Sequence, residues 1–385
     1  MKPIIINRLE TFILDIPMIR PHILSMATVH RQSVTIVRIH CSDGIVGVGE
    51  GTTIGGLAYG AESPEGIKLA IDEYFSPLLI GTDATRPALT MRRIAASIAG
   101  NHFAKCAVET ALLDAVGKRT ALPVSELLGG RLRDSLPVLW TLASGDTGRD
   151  IAEAEEMIAN RRHNIFKVKI GKRSVDADVD HVRSIKKALG VRASVRVDVN
   201  MAWEQTIATQ AIKQLSDAGC DLVEQPIDRH NRAGMARLCA ASSIPIMADE
   251  GLQGPQDAFD LASRACADVF SVKIAQSGGL FAAKHVQAVA EAAGVALYGG
   301  TMLEAGIGTV ASAQVFATFP RLPFGTELFG PLLLTEEILT EPLVYGNFEL
   351  TLPTAPGLGV TLDEDRLEFL RRDRSGRTAI SIARI

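Results

Sequence analysis

A chain of 385 residues with 47% hydrophobic and 22% charged residues can bury a large core and is long enough for two domains. A formal net charge of −4 spread over the whole length leaves no basic face for nucleic acid and no acidic tail, so a small-molecule partner is expected. The opening MKPIIINRLETF breaks its apolar run with Asn7, Arg8 and Glu10, and no stretch approaches the roughly 20 apolar residues of a membrane span, so neither a secretory signal nor a membrane protein is expected, and the location is read as cytoplasmic.

Residues 1–130 read as a separate α+β domain. Alternating strand patterns (SVTIVRIHC, then IVGVGEG after the turn CSDG) precede helices that run through AVETALLDAVGKR. Eight short apolar segments follow: LPVLW (136–140), IFKVKI (165–170), ASVRVD (193–198), DLVE (221–224), IPIMA (244–248), DVFSVK (268–273), VALYG (295–299) and PFGTE (323–327), with helical stretches between them. Eight is the strand number of a β/α barrel. In GLFAAKHVQAVAEAAG, Ala282, Val286 and Val289 are expected on the buried face, with Lys284, Gln287 and Glu291 opposite. From about 345 the pattern returns to short strand-like pieces, FELTL and GVTL, with breaks at Pro353, Pro356 and Gly357. The five cysteines (Cys41, Cys106, Cys220, Cys239 and Cys266) include no CxxC pair and are expected to be reduced packing residues.

Lys169, Asp198, Glu224, Asp249 and Lys273 recur at intervals of 29, 26, 25 and 24 residues, about one strand plus one helix. If each ends a parallel barrel strand, all five project into the C-terminal mouth, where such barrels hold their active sites. Side chains alternate along a strand, so Lys167 shares a face with Lys169 while Phe166, Val168 and Ile170 share the other. The outer helices need the apolar face, which sends both lysines inward; the same parity sends Lys273 inward opposite Phe270, Val272 and Ile274. A solvent-exposed edge strand is the alternative for lysines in this pattern. Two ammonium groups close together in a partly desolvated site are expected to lower each other's pKa toward neutrality, which suits Lys169 beside Lys167 to proton transfer. Lys273, four strands around the ring, would be a second proton carrier or a cation that stabilises negative charge.

Asp198, Glu224 and Asp249 are three hard oxygen donors with no histidine or cysteine among them, a set that suits Mg²⁺ or Mn²⁺ rather than zinc. The structural alternative for any one of them is a helix N-cap after its strand. None of the eight histidines has metal-ligand spacing, and each is expected at the surface or in packing. GIVGVGEG lacks the third glycine of a dinucleotide fingerprint, and GxxxxGK[ST] and GxSxG do not occur.

Taken together, KVKIG (167–171), DVN (198–200), VEQP (223–226), ADE (248–250) and SVKIAQSGG (271–279) resemble the muconate-lactonizing subgroup of the enolase superfamily. The resemblance extends to GEGTTIGGLAYGAESP (49–64), YGGTMLEAGIGT (298–309), TELFGPLLLTEEIL (326–339) and PGLGVTLDE (356–364), and so covers nearly the whole chain. It implies a modified (β/α)₇β barrel over 131–345, an α+β capping domain over 1–130 and a segment, 346–385, that packs back on the cap. It also implies Mn²⁺ or Mg²⁺ held by Asp198, Glu224 and Asp249, and a homo-oligomer, usually an octamer. Lys169 would carry the proton with Lys167 as its neighbour, Lys273 and Glu327 would stand on the opposite side, and Ile54, Tyr59, Asn200 and Phe329 would contact substrate, a small dicarboxylate. The loop PMIRPHILSM (17–26) would close over the site. The implied reaction is lactonization of cis,cis-muconate in catechol breakdown, through a metal-stabilised enolate that Lys169 protonates. A chloromuconate cycloisomerase, an N-acylamino acid racemase or dipeptide epimerase, and a non-catalytic metal-binding scaffold are the alternatives. Gln276, Ser277 and Met201 depart from the family's usual residues beside the ligands.

Overall fold

The computed structural model of the chain describes residues 3–24 and 27–375. The first three strands, β1 (Ile6–Ile23), β2 (Thr28–Cys41) and β3 (Val46–Thr52), form an antiparallel sheet in that order. Most of the predicted lid, PMIRPHILSM, is thus the outer half of a long hairpin, with the register shifting between Pro17 and His22; Ser25 and Met26 lie outside the described residues. The helix His102–Thr120 lies across the sheet, and the glycines of GIVGVGEG explain how it comes so close. A Cβ on Gly47 or Gly49 would stand 2.0 Å from the carbonyl oxygens of Ala111 and Ala107. These glycines serve helix-to-sheet packing rather than a phosphate.

The short strand β4 (Ser135–Pro137) is followed by the barrel strands β5 (Trp140–Leu142), β6 (Ile165–Lys169), β7 (Ser194–Asp198), β8 (Val223–Glu224), β9 (Ile246–Ala248), β10 (Val269–Val272) and β11 (Ala296–Gly299). These seven are parallel and pair in chain order. A helix follows each of them, and the ring closes where Thr326 bridges Gly299 on one side and Val138 on the other. Only a 3₁₀ turn, Gly330–Leu333, and no α-helix follows that closing segment before β12 (Tyr345–Gly346) and β13 (Glu349–Thr351), so the barrel is of the (β/α)₇β type.

Two expectations are corrected. The segment 136–140 is not one barrel strand: its first part pairs antiparallel with β13, and the barrel strand begins at Trp140. Pro137 has no N–H to give a ladder, and its carbonyl instead accepts the N–H of Thr326, which closes the ring. On the helix Leu280–Ala293 the buried stripe is Ala283, Val286, Gln287 and Ala290, so Gln287 lies inside while Ala282 and Val289 are half-buried. The stripe keeps the i, i+3, i+4 and i+7 spacing of a one-sided helix, with the small residues Ala283 and Ala290 at its two ends.

The first tail strands complete a small antiparallel sheet, β12-β13-β4, at the barrel, while the later tail reaches the cap through the Leu14–Arg371 bridge and the Arg372–Asp15 ion pair. Residues 376–385 of the predicted returning segment lie outside the described residues. The five cysteines form no disulfide, and all but the half-buried Cys239 are buried. Among the described residues no helix is long and apolar enough to cross a membrane.

Candidate active site

Register puts the catalytic candidates side by side. Lys169 pairs with Asp198 across β6 and β7, and Asp198 with Glu224 across β7 and β8. Further around the ring Glu224 aligns with Met247, so Asp249 stands two residues higher on the same face, and Lys273 climbs another step beyond β10. The stagger is the shear of a closed barrel, and it brings the five side chains to one mouth. The parity argument holds: Phe166 and Val168 are fully buried outward, and Lys167 and Lys273 are buried inside. The exposed-edge alternative is excluded by that burial. The N-cap alternative fails too, because the helices after β5, β6 and β8 are capped by Asp146, Ser174 and Asn231, and those after β7 and β9 start from Glu204 and Gly254.

The side chains form a network of opposite charges. Lys169 donates to Asp198 Oδ2 at 2.5 Å and to Asn200 Oδ1 at 3.3 Å. Lys167 is surrounded by Glu327 at 2.5 Å, Glu224 at 3.0 Å and Asp198 at 3.6 Å. Lys273 lies 2.8 Å from Asp249 Oδ2 and donates to the Tyr59 hydroxyl at 2.7 Å, with its ammonium 4.6 Å from the Tyr59 ring centre. Tyr59 in turn donates to Asp249 at 2.7 Å. The expectation that paired lysines lower each other's pKa is corrected for Lys167: burial would depress it, but Glu224, Glu327 and Asp198 hold it well above its ordinary value. Lys273 is raised in the same way, burial being outweighed chiefly by Asp249. Burial would raise Asp198, yet Lys169 and Lys167 bring it down to about 2, whereas Glu224 is pushed up by burial and by Asp198. Four carboxylates and three lysines share one dry space, and which charge dominates at each atom depends on which neighbours face it.

The cavity among these groups is narrow, with a volume of about 20 Å³. Ile54, Tyr59, Lys167, Lys169, Asp198, Asn200, Asp249, Lys273 and Glu327 reach it as expected. Glu224 stands behind Lys167, and Phe329, expected in the wall, lies outside the lining and packs against Trp140 with ring centres 5.3 Å apart. Four lining residues were missed: His22, Leu24, Thr301 and Leu303. His22 corrects the reading of all histidines as surface or packing groups. It is 2% exposed, its Nδ1 has no partner among the described residues, and burial together with Lys169 keeps it neutral, well below its usual pKa. The alternation of β1, with Arg20 and His22 in step and Leu24 just past the strand's end, was the available signal. Gln276, one of the departures noted, is fully buried and donates to the carbonyls of Asp249 and Leu252, both at 2.8 Å, so it pins the chain beside a proposed ligand. Met201, like Asn200, sits at positive φ. A larger cavity of about 800 Å³ lies beside the loops after β8 and β9 and touches the catalytic one through Tyr59.

Asp198, Glu224 and Asp249 present only oxygen, and Glu224 Oε1 is buried with no hydrogen-bond partner among the described residues, which fits a hard cation. Among the described residues no group of three such donors stands close enough to enclose a metal, and each of the three carboxylates is paired with a lysine.

The profile of the mandelate racemase / muconate lactonizing enzyme N-terminal domain matches residues 8–129, and that of the enolase C-terminal domain-like family matches 149–366. The chain belongs to this superfamily of divalent-metal-dependent enzymes. Within it, the chain is 60% identical to muconate cycloisomerase 1-2 of Acinetobacter lwoffii, with 96% of each chain covered. It superposes with a TM-score of 0.95, at 59% identity, on the muconate lactonizing enzyme of Pseudomonas fluorescens complexed with muconolactone, covering 95% of this chain and 99% of that one. A chloromuconate cycloisomerase of Cupriavidus pinatubonensis is 46% identical, covering 95% of this chain and 99% of that one.

Proposed function

We propose that this enzyme converts cis,cis-muconate to muconolactone in catechol degradation, with Lys169 as the proton carrier. The observation that carries the reading is the placement of Lys169 and Lys273 around one narrow, carboxylate-floored cavity in a chain 60% identical to a muconate cycloisomerase. The lower identity to the chlorinated-substrate relative supports the unsubstituted substrate. Asp198, Glu224 and Asp249 would hold Mn²⁺ or Mg²⁺, which when bound draws on one substrate carboxylate and absorbs the charge that builds there. The other carboxylate adds to the diene to close the ring, and Lys169 delivers one proton to the α carbon, so the dianion plus a proton becomes the lactone monoanion. Lys273, held by Asp249 and Tyr59, supplies a fixed positive charge, and Asn200 orients Lys169 through its 3.3 Å contact. Ile54, Leu24 and Leu303 exclude water. The space of about 20 Å³ is far smaller than the substrate, so the cap opens for entry. The resemblance also supports a homo-oligomer, an octamer, which analytical ultracentrifugation checks.

Proton NMR in D₂O with Mg²⁺ tests the reaction. Wild-type enzyme should place one deuterium stereospecifically on the α carbon of muconolactone, and Lys169→Ala should lose about 10²–10⁴-fold in rate. Conversion at wild-type rate by the variant would remove Lys169 from its role; racemisation of N-acyl amino acids without lactonization would move the enzyme to the racemase branch.

A further inference from the structure

Gln32 lies on β2, outside the catalytic cavity, and is 1% exposed. Its amide nitrogen faces three carbonyl oxygens: Thr53 at 3.2 Å, Met302 at 3.1 Å and Leu303 at 3.0 Å. Three acceptors around one atom require the nitrogen there, because an oxygen in that place would meet only lone pairs. The amide oxygen has no donor among the described residues, so the side chain keeps this orientation although half its hydrogen-bonding capacity is unmet in a dry place.

The three carbonyls belong to opposite walls. Thr53 precedes Ile54, one of the cap residues that line the cavity, while Met302 and Leu303 belong to the barrel turn after β11 that contributes Thr301 and Leu303. That turn is strained, with Leu303 at φ 61°, a left-handed conformation rare for such a side chain. Local bonds hold it in part, Leu303 N–H donating to Thr301 Oγ1 and Met302 N–H to Glu304 Oε2, both at 2.9 Å. A second cap residue reaches the same place: Glu50 of β3 accepts the N–H groups of Ala305 at 2.7 Å and Gly308 at 2.8 Å. The cap therefore grips the turn twice, and Gln32 joins it directly to the carbonyl that precedes Ile54.

We infer that Gln32 is a positioning residue which sets the width of the substrate cavity by clasping the Ile54 segment of the cap to the Leu303 turn of the barrel. The inference rests on the reaction proposed above. The amide has two protons for three acceptors, so one wall can move away while the nitrogen keeps full bonds to the other. The clasp thus permits opening and restores one closed width afterwards. It touches neither Lys169 nor Lys273, so its loss should weaken substrate binding and spare proton transfer.

Steady-state kinetics of the metal-loaded enzyme with cis,cis-muconate test this with Gln32→Met, similar in volume without donors, and Gln32→Asn, which keeps the amide on a shorter stem. KM is expected to rise about tenfold in Gln32→Met while kcat stays within about threefold. A folded variant with unchanged KM, or one whose kcat falls while KM holds, overturns the inference; if Gln32→Met does not fold, Gln32→Asn is judged by the same criteria. Absence of turnover in the wild-type enzyme would count against the reaction, and the clasp is then judged by hydrogen exchange. The amides of 53–54 and 301–305 should exchange faster together in the variant than in wild type, with β6 unchanged, and equal exchange overturns the inference.

Discussion

Replacing Lys167 with methionine removes one ammonium from three carboxylates and leaves the shape of the side chain nearly intact. The contacts are 2.5 Å to Glu327, 3.0 Å to Glu224 and 3.6 Å to Asp198, in a place where Lys167 is 2% exposed. At an effective dielectric constant of about 20, each contact carries about 4–7 kcal/mol of gross attraction. Most of that offsets the desolvation of the charges and the repulsion among the carboxylates. What a measurement reads is the cost of leaving buried charge without its partner, about 3–5 kcal/mol. The sign with pH follows from Lys167 itself: its folded pKa is raised, so its contribution is fully present below the ordinary lysine value and is lost only as pH rises through the folded one. At pH 7 the whole effect is therefore visible. Urea unfolding of Lys167→Met against wild type, without divalent cation, gives the number. Added Mg²⁺ should recover part of the loss, because a cation can neutralise Asp198 and Glu224 in place of the ammonium. A loss below about 1 kcal/mol would show that the carboxylates do not depend on Lys167 for neutralisation, and the account of the network would fail.

Chelation of the divalent cation is expected to abolish turnover, and adding it back at about a hundredfold over Kd should stabilise the fold by about 2.7 kcal/mol in thermal or denaturant unfolding; zinc restoring activity better than Mg²⁺ or Mn²⁺ would contradict an all-oxygen site. Burial raises Glu109 to about 7 although it accepts the N–H of Phe281, so the folded state binds a proton that the unfolded state releases near 4.5, and stability falls as pH rises between the two. The stability difference between Glu109→Gln and wild type should accordingly shift by about 2–3 kcal/mol in favour of the variant from pH 5 to pH 8, and a constant difference would refute the assignment. Gly49→Ala would place a Cβ 2.0 Å from the Ala107 carbonyl oxygen, so the helix His102–Thr120 must move off β3, at about 3 kcal/mol in denaturant unfolding, and a loss under about 0.5 kcal/mol would refute the close approach.

The barrel half of the site was legible because its information is local. Each βα unit brings one strand end to the mouth, so the recurrence of Lys169, Asp198, Glu224, Asp249 and Lys273 translates into a ring, and the alternation in FKVKI fixes which residues face inward. What failed depends on partners far along the chain. The basicity of Lys167 is decided by Glu224 and Glu327, which no local pattern places beside it. Phe329 follows Glu327 by two residues, yet the closing segment pairs with its neighbours at Thr326 alone and is not an extended strand, so alternation no longer carries the side chain into the cavity. His22 and Leu24 reach the cavity only because a long hairpin crosses the barrel mouth, a tertiary fact.

The two lysines differ in who holds them, and the difference bears on their chemistry. Lys169 makes its contacts to Asp198 at the end of the neighbouring strand and Asn200 in the turn just after it, and its side chain is 12% exposed. Lys273, 4% exposed, takes one partner from the barrel in Asp249 and another from the cap in Tyr59, which offers both hydroxyl and ring face. Lys273, the more deeply buried and held from both cap and barrel, is the harder to discharge, since releasing its proton would leave Asp249 without its compensating charge. Lys169 also has two polar partners, but none from the cap, and its greater exposure leaves it room to pass a proton and recover one. This asymmetry favours Lys169 as carrier and Lys273 as fixed cation, and because Tyr59 belongs to the cap, closing the cap is also what completes the cation's surroundings.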